Sequence, residues 1–294
     1  MENGKMNKQQ WLKKIDLLKK NTEINNNKNI TKKKIKNKII EVIKKSIPKE
    51  RFGILFSGGV DSSLIALICK KFTNNFTCYS VGFQQGNMNI PDDIIYARKV
   101  AKKFNLKLKY KIYNLKELEN MVKKTNKIMG KYNNIINVGV GSVEIAAIEL
   151  AKKKEKYFFS GLGSEEIFAG YERHKKSKDV NEECWNGLKN MYERDLIRDD
   201  LISKKYKVKF LTPFLDEEVI KEAMSIPGNL KLNDKNNKLI LRKVASELLG
   251  KFALRKKKAA QYGSGFLKGI DKLARLNNFK YMKDYLKQQY STNL

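Results

Sequence analysis

The chain is poor in the residues that many catalytic and covalent frameworks need. Of its 294 residues one is histidine, three are cysteine and four are proline. A lone histidine, His174, excludes a multi-histidine metal site and restricts any histidine-based triad to that one residue. Cys69, Cys78 and Cys184 show no Cys-x-x-Cys spacing and read as reduced thiols rather than a disulfide framework. The opening Met-Glu-Asn-Gly-Lys-Met has no apolar signal core, and no run of about 18 apolar residues occurs anywhere. A cytoplasmic chain without a membrane segment is therefore expected. Acidic residues are also few, 31 against 62 basic ones, and only 8 of the basic residues are arginine.

What is present suffices for a folded protein: 41% of residues are hydrophobic and 10% aromatic, enough for one large or two modest domains. The formal charge of +31 favours anionic partners or substrates. It is uneven, with 15 Lys against 5 acidic groups in residues 1–50, and 11 basic against 2 acidic groups in residues 251–294. A Lys- and Asn-rich, Arg-poor composition is also what a coding bias produces, so charge by itself does not assign nucleic-acid binding. The expected organisation is a basic extension over 1–34, a catalytic domain over 35–266 and a basic helical tail over 267–294. The extension is where a polyanion or RNA contact is expected. Tyr281, Tyr285 and Tyr290 of the tail read as a stripe that packs a helix onto the domain rather than as a base-stacking surface.

Apolar periodicity gives the architecture. Residues 35–47 carry Ile35, Ile39, Ile40 and Ile43 at helical spacing, and short apolar runs at 52–56, 76–83, 106–113 and 157–160 read as buried strands. Between them, 62–72, 92–104, 115–129 and 142–153 read as helices. Strict alternation with crossovers of this length predicts an α/β fold, a parallel sheet with helices on both faces. After Ser164 no strand is evident, and a mostly helical continuation is expected.

Chemistry concentrates at two strand ends. Phe56-Ser57-Gly58-Gly59-Val60-Asp61-Ser62-Ser63 lies between the first strand and its helix, on the sheet edge where ligands bind. Two glycines let main-chain N–H groups approach an anion, the helix N-terminus adds its dipole, and three serines add hydroxyls. The second string, Ser160-Gly161-Leu162-Gly163-Ser164-Glu165-Glu166-Ile167-Phe168-Ala169-Gly170-Tyr171, again follows a short strand. The first loop resembles the pyrophosphate loop of the N-type ATP pyrophosphatases, whose fold is adenine nucleotide alpha hydrolase-like. The second resembles the matching motif of asparagine synthetases. Arg198-Asp199-Asp200, Pro213-Phe214-Leu215-Asp216, Lys238 with Leu241-Arg242, and Lys257 in a basic stretch ending Gln261-Tyr262-Gly263-Ser264 follow in that family's order. The chain thus resembles the synthetase domain of the asparagine synthetase family over residues 52–266, most closely the stand-alone asparagine synthetase domain-containing type.

That resemblance implies an ATP-dependent, AMP-forming amide ligase, which adenylates a carboxylate, with aspartate a candidate, for attack by ammonia or another amine. It implies ATP and Mg²⁺ as cofactors. Ser57, Gly58, Gly59, Asp61 and Ser62 would bind pyrophosphate, Val81 and Gly82 the adenine, and Ser160, Gly161 and Gly163 would line the nucleotide site. Asp61 and Glu165 would hold Mg²⁺, with Glu165 standing where the family has Asp. Lys257 would stabilise charge at the reacting carboxyl and α-phosphate; Lys238 and Arg242 would support phosphate or the C-terminal fold. Leu162 stands where glutamine-dependent members carry an acid, an aliphatic choice shared with the stand-alone type. Lys209-Phe210-Leu211-Thr212 replaces Glu-x-Arg-x, which removes an expected ion pair. With about 50 residues before the loop and Glu2 after Met1, no glutaminase domain is expected, so nitrogen would come from ammonia, a separate glutaminase subunit or another amine. Two alternatives stand beside this reading: a tRNA-modifying ATP pyrophosphatase, favoured by charge, and a nucleotide-binding regulatory protein without catalysis, suggested by Leu162 and Glu165. His174 reads as an exposed or capping residue.

Overall fold

The computed structural model describes residues 6–256 and 258–291, with the side chains of 28–30 and 291 excepted. The chain divides into two units. One gathers the segment up to Ile47 with Gly161–Leu196 and Thr212–Leu254; the other gathers Pro48–Ser160, Ile197–Leu211 and the segment from Arg255 onward.

The second unit holds the sheet. Its strands are β1 (Phe52–Leu55), β2 (Phe76–Phe83), β3 (Leu108–Tyr113), β4 (Tyr157–Phe159) and β5 (Lys209–Leu211), in the order β3-β2-β1-β4-β5. Every neighbouring pair is parallel, with Leu55 opposite Tyr79 and Ile54 opposite Phe159. Because side chains alternate along a strand, β2 shows which helices cover which face. Tyr79, Val81 and Phe83 join a core with Leu118 and Val122 of the Leu115–Met129 helix, Ile145 and Ile148 of the Ile135–Leu150 helix, and Ile270 and Leu273. On the other face, Gly82 packs under Pro91 and Ile94 at the start of the Asp92–Lys103 helix. Both faces are covered, which is the α/β arrangement expected from the alternating pattern.

Beside the helix expected over 35–47, which already starts at Lys28, two features differ from the sequence reading. A fifth strand, β5, follows Ser164 in the chain, where none was expected; it has three residues, one sheet neighbour and a partly exposed pattern, so its apolar run is too short to stand out. The sixth long helix starts at Ile135 rather than near residue 142, because Asn134 accepts from the Asn137 N–H at 2.9 Å and caps it. Gly139 and Gly141, which look like breakers in sequence, sit inside that helix where Gln261 and Thr125 approach closely.

The first unit is helical. Within residues 1–34, Lys8–Lys20 forms a helix opened by an Asn7–Gln10 capping box, and the next helix, Lys28–Ser46, begins there and runs past residue 34. The first buries Trp11, Ile15 and Leu18, and the Trp11 indole N–H donates to the Leu188 carbonyl at 2.8 Å. Many of its lysines meet acids of the same unit: Lys14 with Glu217, Lys19 with Glu182, and Lys32 and Lys36 with Glu247. In the other unit, the C-terminal helices Phe266–Leu276 and Met282–Ser291 bury Phe266, Ile270, Tyr285 and Leu286 in the sheet core. Tyr285 packs as expected, whereas Tyr281 is exposed. Among the described residues no helix is long and apolar enough to cross a membrane, and all three cysteines are buried and free.

Candidate functional site

In the second unit the site is built on the central strand. β1 ends at Leu55, the Phe56 N–H still bonds to the Tyr79 carbonyl at 2.8 Å, and the chain then turns sharply into the Val60–Phe72 helix. Gly58 makes the turn. Its φ is +69°, and a Cβ there would stand 2.5 Å from the Tyr96 carbonyl carbon and 2.6 Å from the Ala97 nitrogen, so no other residue fits without moving backbone. Gly59 occupies the N-cap with no side-chain cap, and the first helical bond runs from Ser63 N to Gly59 O. The amide hydrogens of the first turn therefore carry the helix's positive end without an intrahelical acceptor, the usual setting for an anion. Ser57 Oγ accepts from Gly59 N at 3.2 Å and lies 3.4 Å from Ser62 Oγ, while the buried Ser63 Oγ has no protein partner. Asp61 sits in the same turn, 7% exposed.

The neighbouring strands bring the other expected residues of this unit to the same sheet edge. Tyr79 O faces β1 and Phe83 N donates to Ser264 O, so two-residue alternation turns the Val81 N–H and C=O toward that side too, beyond the end of β1. Gly82 instead turns its main chain to Ile112 of β3, and what it contributes is room for Pro91 and Ile94. Ser160 ends β4, next to β1, its N–H bonded to Leu211 O at 2.9 Å. Arg198, in the Arg-Asp-Asp motif, is 1% exposed and clamps two helices, with its Nε 3.0 Å from Glu144 and its Nη2 2.7 Å from Asp199. One residue escaped the sequence reading: Arg255, whose guanidinium reaches both the Ser57 carbonyl and Asp93. The only sequence signal was its place at the head of a basic stretch.

The remaining motif residues lie in the first unit. Gly161 and Gly163 form the turn into the short Ser164–Ile167 helix, with Gly163 at φ +93°. Lys238, 1% exposed, donates to Ser164 Oγ and to Glu165 Oε1, each at 2.8 Å, and Ser164 Oγ donates to Glu165 Oε2 at 2.9 Å. Lys238 adopts a left-handed φ of +55°, a strained state for lysine that this buried pairing holds in place. Arg242 donates to the main-chain carbonyls of Asn237 and Ala253, which makes it a brace for the local fold. Glu166 is buried beside Arg194; burial pushes its carboxyl up to about 7 against the pull of that guanidinium. His174 is a capping residue, as read, but a buried one: Nδ1 accepts from Tyr171 N at 3.0 Å, its ring stacks on Tyr171, and Nε2 has no partner. Burial and the nearby Arg173 lower its imidazole to about 4. Lys257 lies outside the described residues.

The model of the asparagine synthase family matches residues 42–179 and 174–279. The chain belongs to this family. A putative glutamine-hydrolysing asparagine synthetase of Methanocaldococcus jannaschii is 33% identical over 305 residues, covering 88% of this chain and 55% of that protein. The glutamine-hydrolysing asparagine synthetase of Gallus gallus is 30% identical, covering 84% of this chain and 45% of its own length. An asparagine synthetase domain-containing protein of Saccharomyces cerevisiae is 41% identical over 111 residues, covering 36% of this chain and 20% of its own. The chain thus spans about half, or less, of the length of these relatives.

Proposed function

We propose that this asparagine synthase family chain is an ATP-dependent ligase that adenylates a carboxylate and passes the acyl group to ammonia or another amine. The observation that carries the reading is the Ser57–Ser62 loop, whose uncapped helix N-terminus and serine hydroxyls sit at the carboxyl end of the central strand. A carboxylate oxygen attacks the α-phosphorus, the bond to the β-phosphate oxygen breaks, and pyrophosphate leaves. The amine nitrogen then attacks the acyl carbon, loses a proton and expels AMP. In this reading Ser57, Gly58, Gly59 and Ser62 bind the departing pyrophosphate, Val81 offers its main chain to the adenine, and Gly82 admits the Pro91 wall behind it. Ser160, which follows β4, lines the nucleotide site, and Lys257 meets charge at the reacting carboxyl.

The donor chemistry fits a Mg²⁺ ion in part. A Mg²⁺ ion on a nucleotide takes most of its oxygens from phosphate and water and needs only one or two carboxylates from the protein. Asp61 supplies that hard oxygen ligand. Glu165 fits less well, because the Lys238 ammonium already compensates its charge and Ser164 engages its second oxygen. When bound, Mg²⁺ supplies charge neutralisation at the leaving pyrophosphate. The test is exchange of labelled pyrophosphate into ATP across candidate acids, beginning with aspartate. Acid-dependent exchange that Asp61→Asn abolishes is expected. No exchange with any acid, together with no ATP binding, overturns the reading.

A further inference from the structure

Arg255 is held on three sides. One Nη donates to the main-chain carbonyl of Ser57, the other lies 2.6 Å from Asp93 Oδ1, and the guanidinium face stacks on the Tyr96 ring at 4.2 Å. Its side chain and that of Asp93 are each 6% exposed, so this is an interior contact and not a surface ion pair. The Ser57 carbonyl belongs to the same planar peptide as the Gly58 N–H, and the two point in opposite directions. Fixing the carbonyl therefore aims the Gly58 N–H. The Asp92–Lys103 helix grips the loop a second time, because Gly58 lies against the backbone of Tyr96 and Ala97. Asp93, on that helix, is covered by the Ala260–Gly263 turn so closely that a Cβ on Gly263 would overlap its carboxylate. Arg255 is thus pinned to the loop, and the Ser264 carbonyl accepts from Phe83 N at 2.8 Å.

We propose that Arg255 is a positioning residue, a latch that sets the peptide plane of the Ser57–Gly58 loop and, through Asp93 and Tyr96, ties that loop to the Asp92–Lys103 helix. The proposal rests on the reading of the loop as a phosphate cradle. A planar fork satisfies two divergent acceptors while its face stacks; a lysine ammonium offers the charge without that geometry.

The experiment uses the full chain with Arg255→Lys, Arg255→Ala and Asp93→Asn, and Arg275→Ala as a control that removes an exposed arginine paired only with Asp271 on its own helix. Amide hydrogen exchange at Gly59, whose N–H bonds Ser57 Oγ, and at Ser63, whose N–H bonds the Gly59 carbonyl, should rise about tenfold or more in all three latch variants, and ATP should bind about tenfold or more weakly, as expected for a misplaced binding loop. Millimolar guanidinium should restore part of the affinity of Arg255→Ala. Arg275→Ala should change neither readout. Unchanged exchange at Gly59 and Ser63 in Arg255→Ala, or wild-type behaviour of Arg255→Lys in both readouts, overturns the latch. If the wild-type chain binds no ATP the phosphate reading fails, and the exchange measurement still decides whether Arg255 fixes the loop.

Discussion

At the scale of single residues, the most consequential arrangement is Lys238 with Glu165 and Ser164. The sequence marks Lys238 as a family lysine among 54, and Glu165 as a longer acid in place of Asp. What it does not reveal is that the two, 73 positions apart, meet at 2.8 Å with both side chains nearly dry. The extra methylene of Glu165 is part of that reach. Removing one partner of a buried pair strands the other charge in low dielectric, which costs about 3–5 kcal/mol. Lys238→Met should therefore lower the unfolding free energy by about that much in urea titration. Lys238→Met with Glu165→Gln should recover most of the loss, because no bare carboxylate is left behind. If Lys238→Met alone is nearly neutral, Lys238 is free for phosphate and Glu165 for metal, as the family resemblance implies.

At the scale of elements, legibility followed burial. β1 and its loop were readable because a continuous apolar run meets two glycines and a serine-acid cluster, and the structure keeps that strand–loop–helix sequence from Phe52 to Phe72. β5 was not readable because an edge strand of three residues, one of them lysine, needs only one neighbour and shows no apolar pattern. The end of β2 was half readable: the short motif located the strand, but which of Val81 and Gly82 turns its main chain outward depends on strand parity fixed by β1 and β3. The Lys8–Lys20 helix illustrates the opposite problem. Its residues read only as part of a basic extension, and nothing local says that Trp11 closes on the Leu188 carbonyl. Truncating a buried tryptophan typically costs about 3–5 kcal/mol, so Trp11→Ala should shift the urea midpoint strongly downward. Deleting residues 1–34 should destabilise the first unit as well. An unshifted midpoint in Trp11→Ala would show that the helix is dispensable and that its lysines are available to a polyanion.

At the scale of the whole molecule, scarcity becomes a tool. The chain has two tryptophans, Trp11 and Trp185, and both lie in the first unit, so tryptophan fluorescence reports that unit. The single histidine lies in the same unit, buried with Nδ1 accepting from Tyr171 N. Its imidazole falls from an ordinary 6.5 to about 4 because burial and Arg173 oppose the charged form. A folded value below the unfolded one gives stability that is complete above pH 6.5 and lost as pH falls through 4, since the unfolded chain takes up the proton first. Glu166 acts in the opposite sense, its raised carboxyl giving stability that is complete below pH 4.5 and lost as pH rises through 7. The unit is therefore strained from both directions between these limits, with histidine governing acid sensitivity and Glu166 the loss toward neutrality. His174→Gln keeps an acceptor for the Tyr171 N–H and removes the titration. Followed by tryptophan fluorescence in urea, the wild-type midpoint should decline from pH 6.5 to pH 4 more steeply than that of His174→Gln. Parallel declines would mean that His174 is protonated without cost in the folded unit, and that acid sensitivity arises from the carboxylates that pair with its lysines.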